Sequence, residues 1–228
     1  MALIPLDLPA GVYRNGTDLQ SQGRWRDSNL VRWFDNTLRP IGGWRTRSDT
    51  ASAGQVRGMK SWIANNSDRW IAAGSYNKLY AYSGAGVQYD ITPTGLTAGN
   101  ENALNPVGFG TAFYGREYYG IARQEAVTIT PATTWSMDSF GQYLVACSSA
   151  DGKVYEWQLS PSTKAAVVAN APVNNRAILV TEERFLMCLG AGGNPRLVQW
   201  SDRENNTVWT PAATNEAGSL ELQTTGRI

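Results

Sequence analysis

The sequence contains no histidine, and several classes of function depend on that residue. Histidine is the commonest general base, the commonest metal ligand and the usual pH switch in proteins. A Ser-His-Asp or Cys-His catalytic site therefore cannot form within this chain. The two cysteines, Cys147 and Cys188, are too few for a disulfide scaffold. Each lies in an apolar run, so we expect both to be buried core thiols.

The chain also lacks a strong net charge and long apolar segments. It carries 20 basic and 19 acidic residues, and a net charge of +1 excludes polyanion binding driven by bulk charge. No run approaches the ~20 apolar residues of a membrane helix, which predicts no membrane span. The opening residues, MALIPLDLPAG, have no basic side chain and do not form a secretory signal, so we expect synthesis in the cytosol.

Helical periodicity is missing as well, whereas short apolar runs alternate with Gly, Asn and Ser turns. This pattern predicts an all-β fold. Three segments share a basic residue, two apolar or aromatic residues, any residue and an aromatic: Lys78–Tyr82, Lys153–Trp157 and Arg196–Trp200. Each segment follows a turn and an apolar strand, and each has further candidate strands on both sides. Four strands in such a meander are typical of a β-propeller blade of ~40–45 residues.

We therefore predict a β-propeller-like fold of about three four-stranded blades, at 55–92, 133–170 and 176–225. An inserted loop is predicted at 93–132 and an extended N-terminal docking segment at 1–54. Propellers close with about four to eight blades, so we expect these to be part of a larger propeller completed by further chain or by other subunits. Three unrelated hairpins in a β-sandwich are the alternative.

The N-terminal segment is rich in arginine and tryptophan and contains a predicted strand pair, Leu30–Phe34 and Thr37–Arg39, joined by a tight Asp35-Asn36 turn. Such residues bind nucleic acid in some proteins. They are also enriched in protein interfaces, which is the interpretation we favour because nearby aspartates can pair with the arginines. The predicted interface comprises five residues of this segment and three tyrosines of the insertion: Arg14, Arg24, Trp25, Trp33, Trp44, Tyr114, Tyr118 and Tyr119.

Three basic residues directly precede the third strand of each repeat: Lys78, Lys153 and Arg196. In a propeller these turns emerge on one face, so we predict a basic arc. The arc either faces a nucleic acid or an acidic partner ring, or simply protects a sheet edge, and we favour the last interpretation.

No group of residues indicates catalysis, a metal site or a cofactor. The stretch Gly108-Phe-Gly110 with Gly115 lacks the spacing of a phosphate-binding loop. The carboxylate pairs Glu182 with Glu183 and Asp202 with Glu204 are predicted to lie in turns. We therefore expect a protein that is not an enzyme and uses neither cofactor nor metal.

Two segments carry a family resemblance. The first, IPLDLPAGVYRNGTDLQSQGRWRDSNLVRWFDNTLRPIGGW, resembles the opening of a family of tailed-bacteriophage virion proteins. Its most specific parts are Gly11-Val-Tyr13, Asn15-Gly-Thr17, Gly23-Arg-Trp25 and Arg39–Trp44. The second, GGNPRLVQWSDRENNTVWTPAATNEAGSLELQTTG, resembles a later segment of the same family, and together they cover roughly a third of the chain.

The resemblance implies a structural protein of the virion tail. The closest role is the β-propeller tail nozzle or tail-tube protein of short-tailed phages (podoviruses). That role implies a homo-oligomeric ring, commonly of six copies, below the portal and adaptor and beside other tail proteins. Duplex DNA passes through the lumen during genome ejection with transient, non-specific contact. The alternative is a carbohydrate- or receptor-binding propeller of the tail; a polysaccharide depolymerase is less favoured.

Overall fold

The computed structural model describes residues 9–43, 45–103, 130–223 and 226. These residues form β-strands and one short 3₁₀ helix, which confirms the predicted all-β class. The chain divides into two compact units, the first ending at Arg47 and the second beginning at Ser48. This division lies before the predicted boundary at 54/55, because residues 48–54 contact the second unit. Most of the predicted insertion at 93–132 lies outside the described residues.

The first unit contains an antiparallel hairpin of β1 (Val31–Phe34) and β2 (Thr37–Pro40). Asp35 and Asn36 join the strands with φ angles of 47° and 55°. A two-residue type I′ turn requires positive φ at both positions, and Asn and Asp tolerate it better than most residues. The predicted strand pair and its turn are confirmed.

The second unit contains three four-stranded antiparallel meanders, which we name sheets I, II and III. Sheet I consists of β3 (Met59–Ile63), β4 (Arg69–Gly74), β5 (Leu79–Ser83) and β6 (Gln88–Asp90). Sheet II consists of β7 (Trp135–Phe140), β8 (Tyr143–Ser148), β9 (Val154–Trp157) and β10 (Ala166–Val167). Sheet III consists of β11 (Ala177–Val180), β12 (Leu186–Leu189), β13 (Leu197–Trp200) and β14 (Gly218–Glu221), with the 3₁₀ helix Ala191–Gly193 before β13. Every strand predicted for the three repeats is present.

Sheet II lies between the other two sheets and is covered on both faces. On β8, Leu144 and Ala146 join a core shared with sheet I, whereas Val145 and Cys147 join a core shared with sheet III. A strand buried on both faces needs apolar residues at every position, which explains the uninterrupted run in β8. Each repeat forms its own complete four-stranded meander, so the repeats are not the three isolated hairpins of the alternative interpretation.

We name the two faces of each sheet by the neighbour they meet. In sheet II the front face packs on sheet I and the back face packs on sheet III. In sheets I and III the same names apply to the faces that match these by cross-strand register. The front face of sheet II packs on the back face of sheet I through Trp157 and Tyr155 against Trp70. The front face of sheet III packs on the back face of sheet II through Cys188 against Cys147. Both cysteines are fully buried, as predicted.

The first strands of the three sheets lie side by side, with β7 between β3 and β11. Trp135, the first residue of β7, sits directly against Gly58 and Gly74 of the sheet I region. A Cβ added to Gly74 would lie 2.4 Å from the indole ring, so this close approach depends on glycine. The indole Nε1 donates to the carbonyl of Ser75 at 2.7 Å, which fixes the ring.

The third strand of sheet III differs in register from the predicted repeat. Trp157 pairs with Leu144 in sheet II, but the residue that pairs with Leu186 in sheet III is Ser201 rather than Trp200. Since side chains alternate between faces, this one-residue difference turns Trp200 to the back face. The turn before β13, which contains the 3₁₀ helix, has a different length from the turn before β9 and so sets the different register.

Candidate functional site

The arginine- and tryptophan-rich segment of the first unit is held by its own residues. The Arg14 guanidinium lies 3.4 Å from the Asp27 carboxylate, and Arg26 pairs with Asp18. The Arg24 guanidinium stacks 5.2 Å from the centroid of the Tyr13 ring. The expectation that nearby aspartates pair with arginines is therefore confirmed for two of them.

Trp25 and Trp33 pack against each other with ring centroids 5.7 Å apart. The backbone carbonyl of Trp25 accepts a hydrogen bond from the Tyr13 N–H at 2.8 Å, which joins two parts of the segment that precedes the hairpin. Neither indole N–H has an acceptor among the described residues. Both nitrogens are shielded from solvent, so these two donors are exceptions to the rule that buried N–H groups are hydrogen-bonded. The other predicted interface residues, Trp44, Tyr114, Tyr118 and Tyr119, lie outside the described residues.

The three predicted basic-arc residues do not occupy one equivalent position. Lys78 and Lys153 precede β5 and β9 at matching register positions, but the register of β13 gives that position to Leu197 instead of Arg196. The predicted equivalence is therefore wrong for Arg196, because the turn before β13 changes the register. A functional role for the three residues stays a prediction.

Two of these cations have carboxylate partners. Lys78 Nζ lies 2.7 Å from Asp90, and Arg196 lies 2.6 Å from Glu221. The hydrogen bond to Asp90 raises the pKa of Lys78. Burial acts to raise the pKa of Asp90, but hydrogen bonds from Lys78 and Thr92 outweigh it and lower the value to about 2. The pairs neutralise much of the predicted positive charge.

A charged link joins the first strands of all three sheets. Lys60 Nζ on β3 lies 2.7 Å from Asp138 Oδ1 on β7. The other carboxylate oxygen accepts a hydrogen bond from the Val180 N–H on β11 at 2.9 Å. Burial acts to raise the pKa of Asp138, but the hydrogen bonds from Lys60 and from the backbone lower it. Asp138 therefore fixes the spacing of the three sheets along their first strands.

Sequence analysis missed this link, although a signal for it exists. Met59-Lys60-Ser61 and Met137-Asp138-Ser139 have the same pattern and occupy the same register positions of β3 and β7. The middle residue has opposite charge in the two strands. Opposite charges at matching positions of neighbouring repeats can pair between the repeats.

The front face of sheet I repeats the residue types of the front face of sheet II. Matched by cross-strand pairing, Met59, Ile71 and Ala73 correspond to Met137, Leu144 and Ala146. Tyr80 and Tyr82 correspond in the same way to Tyr155 and Trp157. In sheet II this face is docked on another sheet. In sheet I it is docked on no other sheet among the described residues, and Met59 and Ile63 are 66% and 61% exposed.

The back face of sheet III is also not covered by a sheet within the described part of the chain. Its side chains are all apolar: Ala177, Leu179, Met187, Leu189, Val198, Trp200 and Leu220. Trp200 lies flat across β14, where its ring passes over Gly218 and its Nε1 donates to Glu216 at 2.8 Å. Leu220 is 57% exposed. An apolar sheet face of this kind is typical of an interaction surface.

A shallow cavity of about 360 Å³ lies beside the β7–β8 turn. Its lining combines aromatic and polar side chains: Asn65, Phe140, Gln142, Tyr143, Glu156, Arg184 and Asn206. Glu156 accepts hydrogen bonds from Asn206 and Gln158. It is the one carboxylate in this lining, whereas glycoside hydrolysis ordinarily requires two. The cavity can hold a polar ligand but does not have the groups of a glycosidase.

Comparison with family models, with curated proteins and with solved structures finds no match. Among the described residues, no group of three or more Cys, Asp and Glu side chains is placed to hold a metal ion. The same residues include no helix that is both long and apolar enough to cross a membrane. The two open sheet faces and the Arg/Trp segment therefore remain the candidate functional surfaces.

Proposed function

We propose that this chain is a structural subunit of a bacteriophage tail, a nozzle or tail-tube component that forms an oligomeric ring below the portal and adaptor. In this proposal, sheets I, II and III are consecutive blades of a β-propeller. The observation that carries it is the stacking of three four-stranded meanders with adjacent first strands and, at each end, an apolar face on which no other sheet of the described residues docks. The resemblance of two segments to phage virion proteins supplies the biological setting.

The charge distribution supports passage of DNA rather than its capture. A conduit must contact phosphates weakly, since each tight contact would slow transit. The chain carries a net charge of +1, and Lys78 and Arg196 are paired with carboxylates. These pairs reduce the positive charge that a passing duplex would meet.

Cryo-electron microscopy of the intact virion, with the chain identified by mass spectrometry of the purified particle, tests this function. We expect a ring in the tail whose subunit density fits the three stacked sheets and whose lumen admits duplex DNA. Absence of the chain from purified virions would contradict the proposal.

A glycan-binding tail protein is the second candidate, and the cavity beside Tyr143 favours it. Aromatic rings stack on sugars, while Glu156, Arg184 and Asn206 provide hydrogen-bonding groups. Glycan-array binding that is lost in Tyr143→Ala would support this function. The nozzle proposal predicts that neither the wild-type chain nor Tyr143→Ala binds glycans.

A further inference from the structure

The undocked front face of sheet I has the composition of a docking face. In sheet II, the matching residues form the contact with the preceding sheet, and Leu144, Tyr155 and Trp157 are each 1% exposed. Sheet I offers an equivalent aliphatic and aromatic set in Ile71 and Tyr82. The segment before β3 covers only part of this face, since Ala53 N–H donates to the Tyr80 hydroxyl at 3.1 Å. The first-strand side, with Met59 and Ile63, remains open.

The undocked back face of sheet III has the composition of the surface that receives such a face. The two back faces that are covered, on sheets I and II, contribute apolar side chains such as Trp70 and Val145 to their cores. The back face of sheet III is apolar throughout, and β11 is its first strand. Within the chain, a front face always docks on the preceding back face with the first strands adjacent.

We propose that a second copy of this chain docks head-to-tail on the first, with the front face of its sheet I on the back face of sheet III. The contact repeats the operation that places sheet II on sheet I and sheet III on sheet II. The two surfaces differ, so the interface is heterologous, and such interfaces close into rings when the rotation allows. Each copy contributes its three four-stranded sheets, so two copies supply six. Closed propellers contain about four to eight such sheets.

This interaction rests on the propeller part of the proposed function and names the surfaces that join the copies. It does not depend on the phage tail. The chain can fail to associate and still be found in the virion, and it can associate without being a virion protein. Measurement of mass in solution therefore tests the interaction separately from microscopy of the virion.

The test uses two single variants at exposed positions of the two surfaces, analysed by sedimentation velocity over a concentration series. Met59→Glu places a charge on the front face of sheet I, and Leu220→Glu places one on the back face of sheet III. We expect the wild-type chain to dimerise and each variant to associate at least ~10-fold more weakly. Val173→Glu, at a 51% exposed loop position between sheets II and III, serves as the control and should associate like the wild type.

An equimolar mixture of Met59→Glu and Leu220→Glu distinguishes a head-to-tail contact from contact between identical faces. The first variant keeps an intact sheet III and the second keeps an intact sheet I, so the mixture should form a heterodimer with one good interface. A wild-type chain that stays monomeric up to ~100 μM overturns the proposal without any variant. Full association of Met59→Glu alone, or an equal loss in Val173→Glu, also overturns it. Near-UV circular dichroism confirms that each variant is folded.

Discussion

Sheets II and III are the same kind of four-stranded meander, but within the described residues other sheets cover both faces of sheet II and only one face of sheet III. In sheet II, Trp157 is 1% exposed and closes the core against sheet I. In sheet III, Trp200 lies on the open back face. The loop residue Trp209, 3% exposed, fills the core against sheet II instead. The role of an aromatic residue in this protein therefore depends on register and on its neighbouring sheet, more than on its place in the sequence repeat.

The strongest test of this comparison replaces the two tryptophans one at a time. We expect Trp157→Ala to lower the free energy of unfolding by about 3–5 kcal/mol, because it leaves a cavity between two sheets. We expect Trp200→Ala to cost much less, since its ring already contacts solvent. Urea denaturation measures both values. Equal losses would show that Trp200 lies in a core and that the register of β13 is different.

The contact between sheets I and II depends on glycine in a way that can be tested with a matched pair. Gly74→Ala would place a Cβ 2.4 Å from the Trp135 ring, and we expect a loss of about 1–3 kcal/mol. In Gly84→Ala the new Cβ would meet its nearest atom, the Arg69 carbonyl oxygen, at 3.5 Å, an ordinary contact. Thermal denaturation of the two variants gives the comparison. No difference between them would mean that Trp135 is not held against Gly74.

The link through Asp138 should contribute less to the free energy of unfolding than either of the two cores between the sheets. The Lys60 and Asp138 side chains are 34% and 22% exposed, so solvent screening reduces their attraction. We expect Asp138→Asn to cost about 1–2 kcal/mol, largely from weaker hydrogen bonding to Lys60 and Val180. Ser136→Ala, which removes the two separate hydrogen bonds between the Ser136 hydroxyl and the backbone of Ile178 in β11, provides a comparison without a change in charge.

The same variant should change the dependence of stability on pH. The folded-state pKa of Asp138 lies below the ordinary value of 3.8. Its contribution is therefore fully present above that value and is lost as pH falls through the folded-state pKa. Denaturation midpoints measured between pH 7 and pH 2 should fall less steeply for Asp138→Asn than for the wild type. Parallel curves would contradict the assignment.

The smallest effect is expected at the edge of sheet I. Lys78 and Asp90 are 37% and 39% exposed, and pairs of that kind contribute about 0–1 kcal/mol. Lys78→Met should therefore change stability only slightly, and Arg196→Met should behave alike. A large loss in either variant would show that the pair is part of a buried network.

The sequence was sufficient to predict the strands of each meander, because turn residues separate short apolar runs of the right length. Asp35-Asn36 predicted its hairpin for the same local reason. The register of β13 could not be predicted from the repeat, because it depends on the turn around Ala191. A difference of one residue there moves Trp200 from one face to the other. The place of Trp209 in the core between sheets II and III could not be predicted either, since loop residues follow no periodic pattern.

The candidate surfaces were less predictable than the strands. Partners for Arg14 and Arg26 could be expected from aspartates close in sequence. The undocked faces of sheets I and III could not, because the apolar pattern of a strand is the same whether another sheet covers it or not. Only the stacking order identifies which sheet faces have no neighbouring sheet in the described part of the chain.

The two buried thiols make opening of the contact between sheets II and III measurable by chemical labelling. Burial raises the pKa of Cys147 to about 12 and also raises that of Cys188. The thiolate is the reactive form, and both thiols are buried and protonated in the folded protein. An alkylating reagent therefore modifies them only when the sheets separate. The labelling rate of the unmodified protein therefore counts how often this contact opens. If docking of a second copy stabilises the contact between sheets II and III, the labelling rate should fall when the copies associate.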